Sequence, residues 1–299
     1  MLTEELLAKT SRTFALAIPL LPKPARAEVC LAYLLFRLAD TLEDAELWPR
    51  EARVRALDEL AELLDEPAAA RTRSRLETLR EGWLHPAPSR DEACLALLRA
   101  TPELFAELHQ LDPRVQEIII SHGARTVAGM RATIERSDEG GRFGLRTVEE
   151  LRDYCYTVAG IVGELLTQVF LHDSPQLVAV KETLLENQVL FGEGLQLVNI
   201  LKDEAKDATD GRRYLPPTAT RAEVIALARR DLASARAYIE ALESGGAPGG
   251  YVAFTTLSAD LADATLTRLE SDGAGAKVPR STVMQMFARV QQRVAALAR

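Results

Sequence analysis

EVCLAYLLFRLADTLED, residues 28 to 44, and LFGEGLQLVNILKDEAKD, residues 190 to 207, are apolar nearly all round a helical wheel, and each ends in acids. A helix that is apolar on every side is a buried one, and buried Asp and Glu are rare without a partner. In the first stretch Tyr33, Arg37, Asp40 and Asp44 stand at i, i+4, i+7 and i+11, with Glu43 one step round, so all five project from roughly one face. The second repeats the device with Gln196, Asn199, Asp203 and Asp207 at i, i+3, i+7 and i+11. Carboxylates crowded into one turn repel and raise each other's pKa unless a cation neutralises them.

Outward from these stretches, apolar residues recur at three- and four-residue spacing almost everywhere, and alternating strand-like runs are scarce. The pattern predicts an all-α fold with helices over 23–45, 50–64, 91–109, 113–135, 148–171, 176–206, 220–243 and 250–271. Breaks fall at 19–24, 85–90, 136–144, 207–217 and 243–250, each rich in Gly, Pro or Asp. None has the composition of a domain linker, which predicts one domain over 1–299.

Mg²⁺ suits the two acidic turns, because it is hard, prefers oxygen and is usually shared between one or two carboxylates and substrate phosphates. The implied substrate is a diphosphate. Alternatively each acid run is a solvated helix end, and Arg37 is simply a partner for Asp40 or Asp44 at i+3 or i+7.

The 44 acidic and 36 basic side chains give a net charge of −8, which argues against a nucleic-acid or anionic-membrane surface. Cys30, Cys94 and Cys155 lack metal-ligand spacing and read as reduced core thiols. His85, His109, His122 and His172 show no paired spacing, so zinc is not expected. No basic region precedes the first apolar stretch, and no window approaches ~18 uninterrupted apolar residues. The expectation is a cytoplasmic protein with at most peripheral membrane contact.

Five segments resemble, in order and spacing, those of the squalene/phytoene synthase family. They are SRTF (Ser11 to Phe14), VCLAYLLFRLADTLED, YCYTVAGIVG (Tyr154 to Gly163), QLVNILKDEAKD and GRRYLP (Gly211 to Pro216). The first aspartate motif has the DTxED form of squalene synthases. The resemblance implies an isoprenoid-synthase helical bundle around a central apolar cavity, with Mg²⁺ and diphosphate at its mouth. It implies that Asp40, Glu43, Asp44, Asn199, Asp203 and Asp207 carry the metals. Arg12, Arg37 and Arg212 would contact diphosphate, while Ser11, Phe14, Tyr33, Gln196 and Lys202 would complete the substrate site. Two residues depart from the family's RDxxED: Lys202 stands for the Arg and lacks its planar fork, and Lys206 removes one acid.

By the same resemblance, an isoprenoid diphosphate such as farnesyl or geranylgeranyl diphosphate ionises and couples head to head with a second copy. Arg37, Asp40 and Asp44 would assist departure of pyrophosphate, and Tyr154 would handle the proton lost on cyclopropane closure. Tyr154 reads equally as a buried, hydrogen-bonded tyrosine. Phe14, Phe36 and Phe191 are candidates for a wall that shields a carbocation from water, or are core. Gly160 and Gly163 admit either a close substrate or a close helix. AKVPRS resembles the basic segment of squalene synthases, so Lys277 and Arg280 could meet an NADPH phosphate, or be an ordinary loop.

Hydride capture would give squalene; without NADPH the product would be phytoene or dehydrosqualene. A head-to-tail prenyl transferase or terpene cyclase would lack SRTF, YCYTVAG and GRRYLP together. A silent helical lipid-binding relative would have little reason to keep all three acids of DTLED.

Overall fold

A computed structural model of the chain describes residues 2–11, 13–66, 71–138 and 142–297. The architecture is all-α, as the periodicity predicts, and its contacts group into two units: residues 1–15 with 27–141, and residues 16–26 with 142–299.

The first unit holds α1 (Leu2–Thr10), α3 (Ala25–Glu43) from residue 27 on, α4 (Arg50–Asp65), α5 (Arg73–Leu84), α6 (Glu92–Arg99), α7 (Thr101–Leu108) and α8 (Pro113–Arg136), while the short α2 (Phe14–Ala17) straddles the boundary. In α3, Leu31, Leu34, Leu38 and Leu42 are all buried, which is why so apolar a helix forms at all. Residues 91–109 form two helices, not the one expected. Pro102 has no N–H to continue α6, so the chain breaks at Ala100 and restarts with proline in the first turn of α7. Helix α5 escapes the periodicity because it buries only Leu76 and Trp83. It forms nonetheless, with Thr72 accepting from Arg75 N–H at its start.

The second unit contains α9 (Val148–Cys155), a π turn (Tyr156–Gly160), α10 (Ile161–Asp173), α11 (Lys181–Thr209), α12 (Arg221–Ser244), α13 (Gly249–Asp272) and α14 (Arg280–Leu297). A 3₁₀ turn, Pro175–Val180, precedes α11, where the sequence predicts helix from 176. Helix α12 opens on a reciprocal cap: Thr220 accepts from Glu223 N–H while the Glu223 carboxylate accepts from Thr220 N–H. Two of the expected breaks pair with each other, β1 (Phe143–Gly144) lying parallel to β2 (Arg212–Arg213).

Close backbone contact seats α11. A Cβ on Gly163 would lie 1.9 Å from the Gln188 carbonyl oxygen, and one on Gly192 would lie 2.1 Å from that of Ala159. Helix packing is therefore what Gly163 serves. The continuous run Val148–Asp173 is long and apolar enough to cross a membrane by length and composition, although interrupted by polar residues, and half of its most apolar window is buried in the fold. Cys30, Cys94 and Cys155 are free thiols; Cys30 and Cys155 are buried and Cys94 is partly so.

Candidate active site

The two acidic turns belong to different units. On α3, Arg37 Nη1 lies 3.4 Å from Asp40 Oδ2, and the two side chains keep 33% and 38% of their surface. Burial pushes the Asp40 carboxyl up to about 6, against the pull of Arg37 and with the repulsion of Asp44. A cation would relieve that repulsion. Glu43 is turned elsewhere: its carboxylate lies 3.7 Å from Arg53 Nη2 on α4, and its backbone oxygen accepts from Arg53 Nε. Tyr33 donates to the Thr10 carbonyl at 3.1 Å and packs its ring 5.3 Å from that of Phe14. Ser11 Oγ accepts from Phe14 N–H and starts α2. Arg12 lies outside the described residues. Phe36 lines a narrow apolar pocket between α3, α4 and α8, with Leu35, Ala39, Leu64 and Gly123 among its walls.

On α11, Lys202 donates to Asn199 Oδ1 at 3.1 Å and lies 3.2 Å from Asp203 Oδ2. The departure from arginine thus yields a lysine that ties two expected ligands together. Burial raises the Asp207 pKa; Asp203 and Asp210 raise it further, while Lys206 and Arg212 oppose them. Asp207 and Arg212 line one recess of about 150 Å³ together with Glu204 and Tyr214. Gly211, at φ 79°, makes the turn that carries Arg212 back toward α11.

Tyr154 stands beside this recess. Its ring stacks on that of Tyr214, with centroids 4.7 Å apart and planes at 30°, and Phe143 completes the cluster at 5.9 Å from Tyr214 and 6.4 Å from Tyr154. Neither Tyr214 nor Phe143 stands out by spacing; the available signal was their place in the two breaks that pair as β1 and β2. Gln196 is half-buried on α11. Phe191 packs against Tyr238 in the interior. Lys277 and Arg280 are exposed, beyond a turn with positive φ at Gly273 and Gly275.

Among the described residues no three His, Cys, Asp or Glu side chains gather into a ready-made metal cage. What the chain offers is two acids one turn apart at the C-terminal end of α3 and on α11, with the paired acid raising the pKa of Asp40 and of Asp207. That donor set fits Mg²⁺, which keeps waters and takes further oxygens from a phosphate.

The model of the family described as squalene/phytoene synthase matches residues 7–222. The chain belongs to the squalene/phytoene synthase family. It is 32% identical over 215 residues to the squalene synthase of Eremothecium gossypii, covering 71% of this chain and 45% of that protein. Against squalene synthase ERG9 of Saccharomyces cerevisiae it is 32% identical over 216 residues, covering 71% and 44%. The matched stretch is thus less than half the length of these curated relatives. In three dimensions a ligand complex of TcSQS matches with TM-score 0.75 at 23% identity, over 99% of this chain and 88% of the other, which identifies the fold. The expected helical family fold is borne out.

Proposed function

We propose that this member of the squalene/phytoene synthase family is a prenyl transferase that condenses two farnesyl diphosphates head to head, through a cyclopropyl diphosphate, to squalene. The observation that carries the reading is the recess in which Asp207 and Arg212 meet beside the stacked rings of Tyr214 and Tyr154. An acid, a fixed cation and a phenol side by side are what a metal-neutralised diphosphate and a departing proton require. The names of the curated relatives, squalene synthases at 32% identity, support the same product.

Asp40 on α3, Asp44 just past its end, and Asn199, Asp203 and Asp207 on α11 would hold Mg²⁺, with Glu43 reaching it only if it leaves Arg53. Bound there, Mg²⁺ supplies positive charge against the pyrophosphate as it departs. Arg37 and Arg212 bind diphosphate oxygens, Lys202 adds a point charge, and Arg12, Ser11, Tyr33 and Gln196 complete the binding. Tyr154 accepts and passes on the proton lost when C1 of one farnesyl group has joined the C2–C3 bond of the other. Phe14 and Phe36 exclude water from the cation, and the interior position of Phe191 gives it the supporting role. Lys277 and Arg280, exposed and with no interaction partner among the described residues, suit the phosphates of NADPH. That cofactor supplies the hydride that makes the final product squalene. We place the reaction in the cytoplasm, with at most peripheral bilayer contact.

The test is product analysis of the purified chain with farnesyl diphosphate and Mg²⁺, with and without NADPH. Squalene formed only with NADPH is the expected result. Dehydrosqualene irrespective of NADPH would overturn the reductive step, and no pyrophosphate release from farnesyl or geranylgeranyl diphosphate would overturn the enzyme reading.

A further inference from the structure

Three charged side chains that play no part in the reaction above meet inside the second unit. Arg152 of α9 lies 2.7 Å from Glu193 Oε2 of α11 and 3.4 Å from Asp231 Oδ2 of α12. Both carboxylate side chains keep only 5% of their surface, so the contact is internal and not a solvated surface pair. Removing one member of such a group leaves an uncompensated buried charge. The local sequence is built around it. Gly192 and Gly194 flank Glu193; Gly192 meets the Ala159 carbonyl of the π turn, and a Cβ on Gly194 would lie 3.2 Å from Asp231. Residues 192–194 therefore clasp α11 to the π turn on one side and to α12 on another, with Glu193 reaching Arg152.

Arg152 stands two residues before Tyr154 and four before the π turn, a type of irregularity that recurs at functional sites. The clasp thus fixes the short helix that carries the stacked tyrosine. We propose that Glu193 and Asp231, acting through Arg152, are positioning residues that set the ring of Tyr154 against Tyr214. Their catalytic consequence rests on the role given to Tyr154 above; their effect on the stack does not.

The charge balance adds a pH dependence. Glu193 is acted on by Arg152 and Asp153 of α9 and by Asp231 of α12, and Asp231 by Arg152 and Arg230. The Cys155 thiol is kept protonated by burial and by both acids. Two acids share one close cation, and burial together with Asp231 pushes Glu193 up to about 7 against the pull of Arg152. The clasp is tightest while the pair of acids holds one proton.

The experiment compares the whole chain with its Glu193→Ala, Glu193→Gln and Asp231→Asn variants. Readouts are steady-state pyrophosphate release from farnesyl diphosphate with Mg²⁺, and the tyrosine band of near-ultraviolet circular dichroism. Misplacing a reacting group by about 1 Å costs on the order of 100-fold, so kcat of Glu193→Ala falls by about 10- to 100-fold with KM retained. Its tyrosine band weakens while the helical far-ultraviolet signal stays. Glu193→Gln, which keeps shape and hydrogen bonding, recovers the band and most of kcat, and removes the decline in kcat of the parent chain above pH about 7. A tyrosine band in Glu193→Ala identical to the parent's, or loss of kcat and KM together in step with thermal stability, would overturn the inference. If the parent chain releases no pyrophosphate, the proposed reaction fails, and the tyrosine band still decides the positioning claim.

Discussion

The acidic turn of α3 and that of α11 space their acids alike and surround them with different cations. Around Asp40 the helix is Leu-rich and buried, Arg37 is at hand, and burial is the largest influence on the carboxyl. Asp203 on α11 keeps 44% of its side-chain surface, is paired by Lys202, and stands on a helix end where Ala205, Lys206 and Ala208 are exposed. Asp40 keeps 38%, so the two acids differ little in exposure; they differ in counter-charge, since burial and Asp44 lift Asp40 to about 6 despite Arg37, whereas Lys202 sits against both Asp203 and Asn199. The α3 turn thus has the more to gain from a bound cation, while the α11 turn is already part-neutralised by its lysine.

The largest effect is expected where a cation has most repulsion to relieve. Asp40→Asn removes one of the two acids that would share Mg²⁺ on α3, and kcat for pyrophosphate release falls by about 1,000-fold, the upper range for losing one preorganised electrostatic group. Asp207→Asn, in the more open recess, costs about 100-fold and raises the Mg²⁺ concentration needed for half-maximal rate. If both variants lose activity equally, the contrast between the turns has no functional content.

Next comes the seat of α11. Alanine is the better helix former by ~1 kcal/mol, yet at Gly192 its Cβ would fall 2.1 Å from the Ala159 carbonyl oxygen. Gly192→Ala is therefore expected to destabilise by about 3 kcal/mol in denaturant unfolding.

A smaller effect concerns pH. The folded-state pKa of Glu193 is raised from 4.5 to about 7, so the stabilisation from its proton is complete below 4.5 and is lost as pH rises through about 7. Thermal unfolding across that window should show the parent chain losing stability relative to Glu193→Gln; parallel curves would contradict the shift. The smallest effect is a gain: Lys206→Asp restores an acid beside Asp207 and lowers the Mg²⁺ requirement a few-fold, read from the same rate titration.

Much of this was legible in the sequence. The acids of α3 and α11 could be found because helical spacing collects them within one segment, and the Leu-rich surroundings of Asp40 follow from the same segment. The Arg152–Glu193–Asp231 clasp could not be read, since it joins three helices through single charged residues far apart in the sequence, although Glu193 inside the apolar stretch 190–207 is an acid in need of a partner. The pairing of Glu43 with Arg53 escaped for a related reason, because one step round a helix changes the neighbour a side chain meets. Gly160 and Gly163 left two readings open in the sequence. The carbonyl of Gln188 against Gly163 decides for helix packing there, while a Cβ on Gly160 would meet the Tyr156 ring at 2.9 Å and Val189 at 3.1 Å. Helices α1, α2, α5 and α14 fall outside the segments the periodicity predicts, α5 because it buries so little, and Pro102 split a stripe that was otherwise continuous.

The central claim, that paired acids on α3 and α11 bind a metal-neutralised diphosphate for ionisation, is tested most directly by titrating Mg²⁺ into the purified chain with farnesyl diphosphate and following pyrophosphate release. The account predicts no release in chelator, a saturable rise with Mg²⁺, and loss of that rise in Asp40→Asn. Release at an unchanged rate in chelator, or a normal titration in Asp40→Asn, would contradict it.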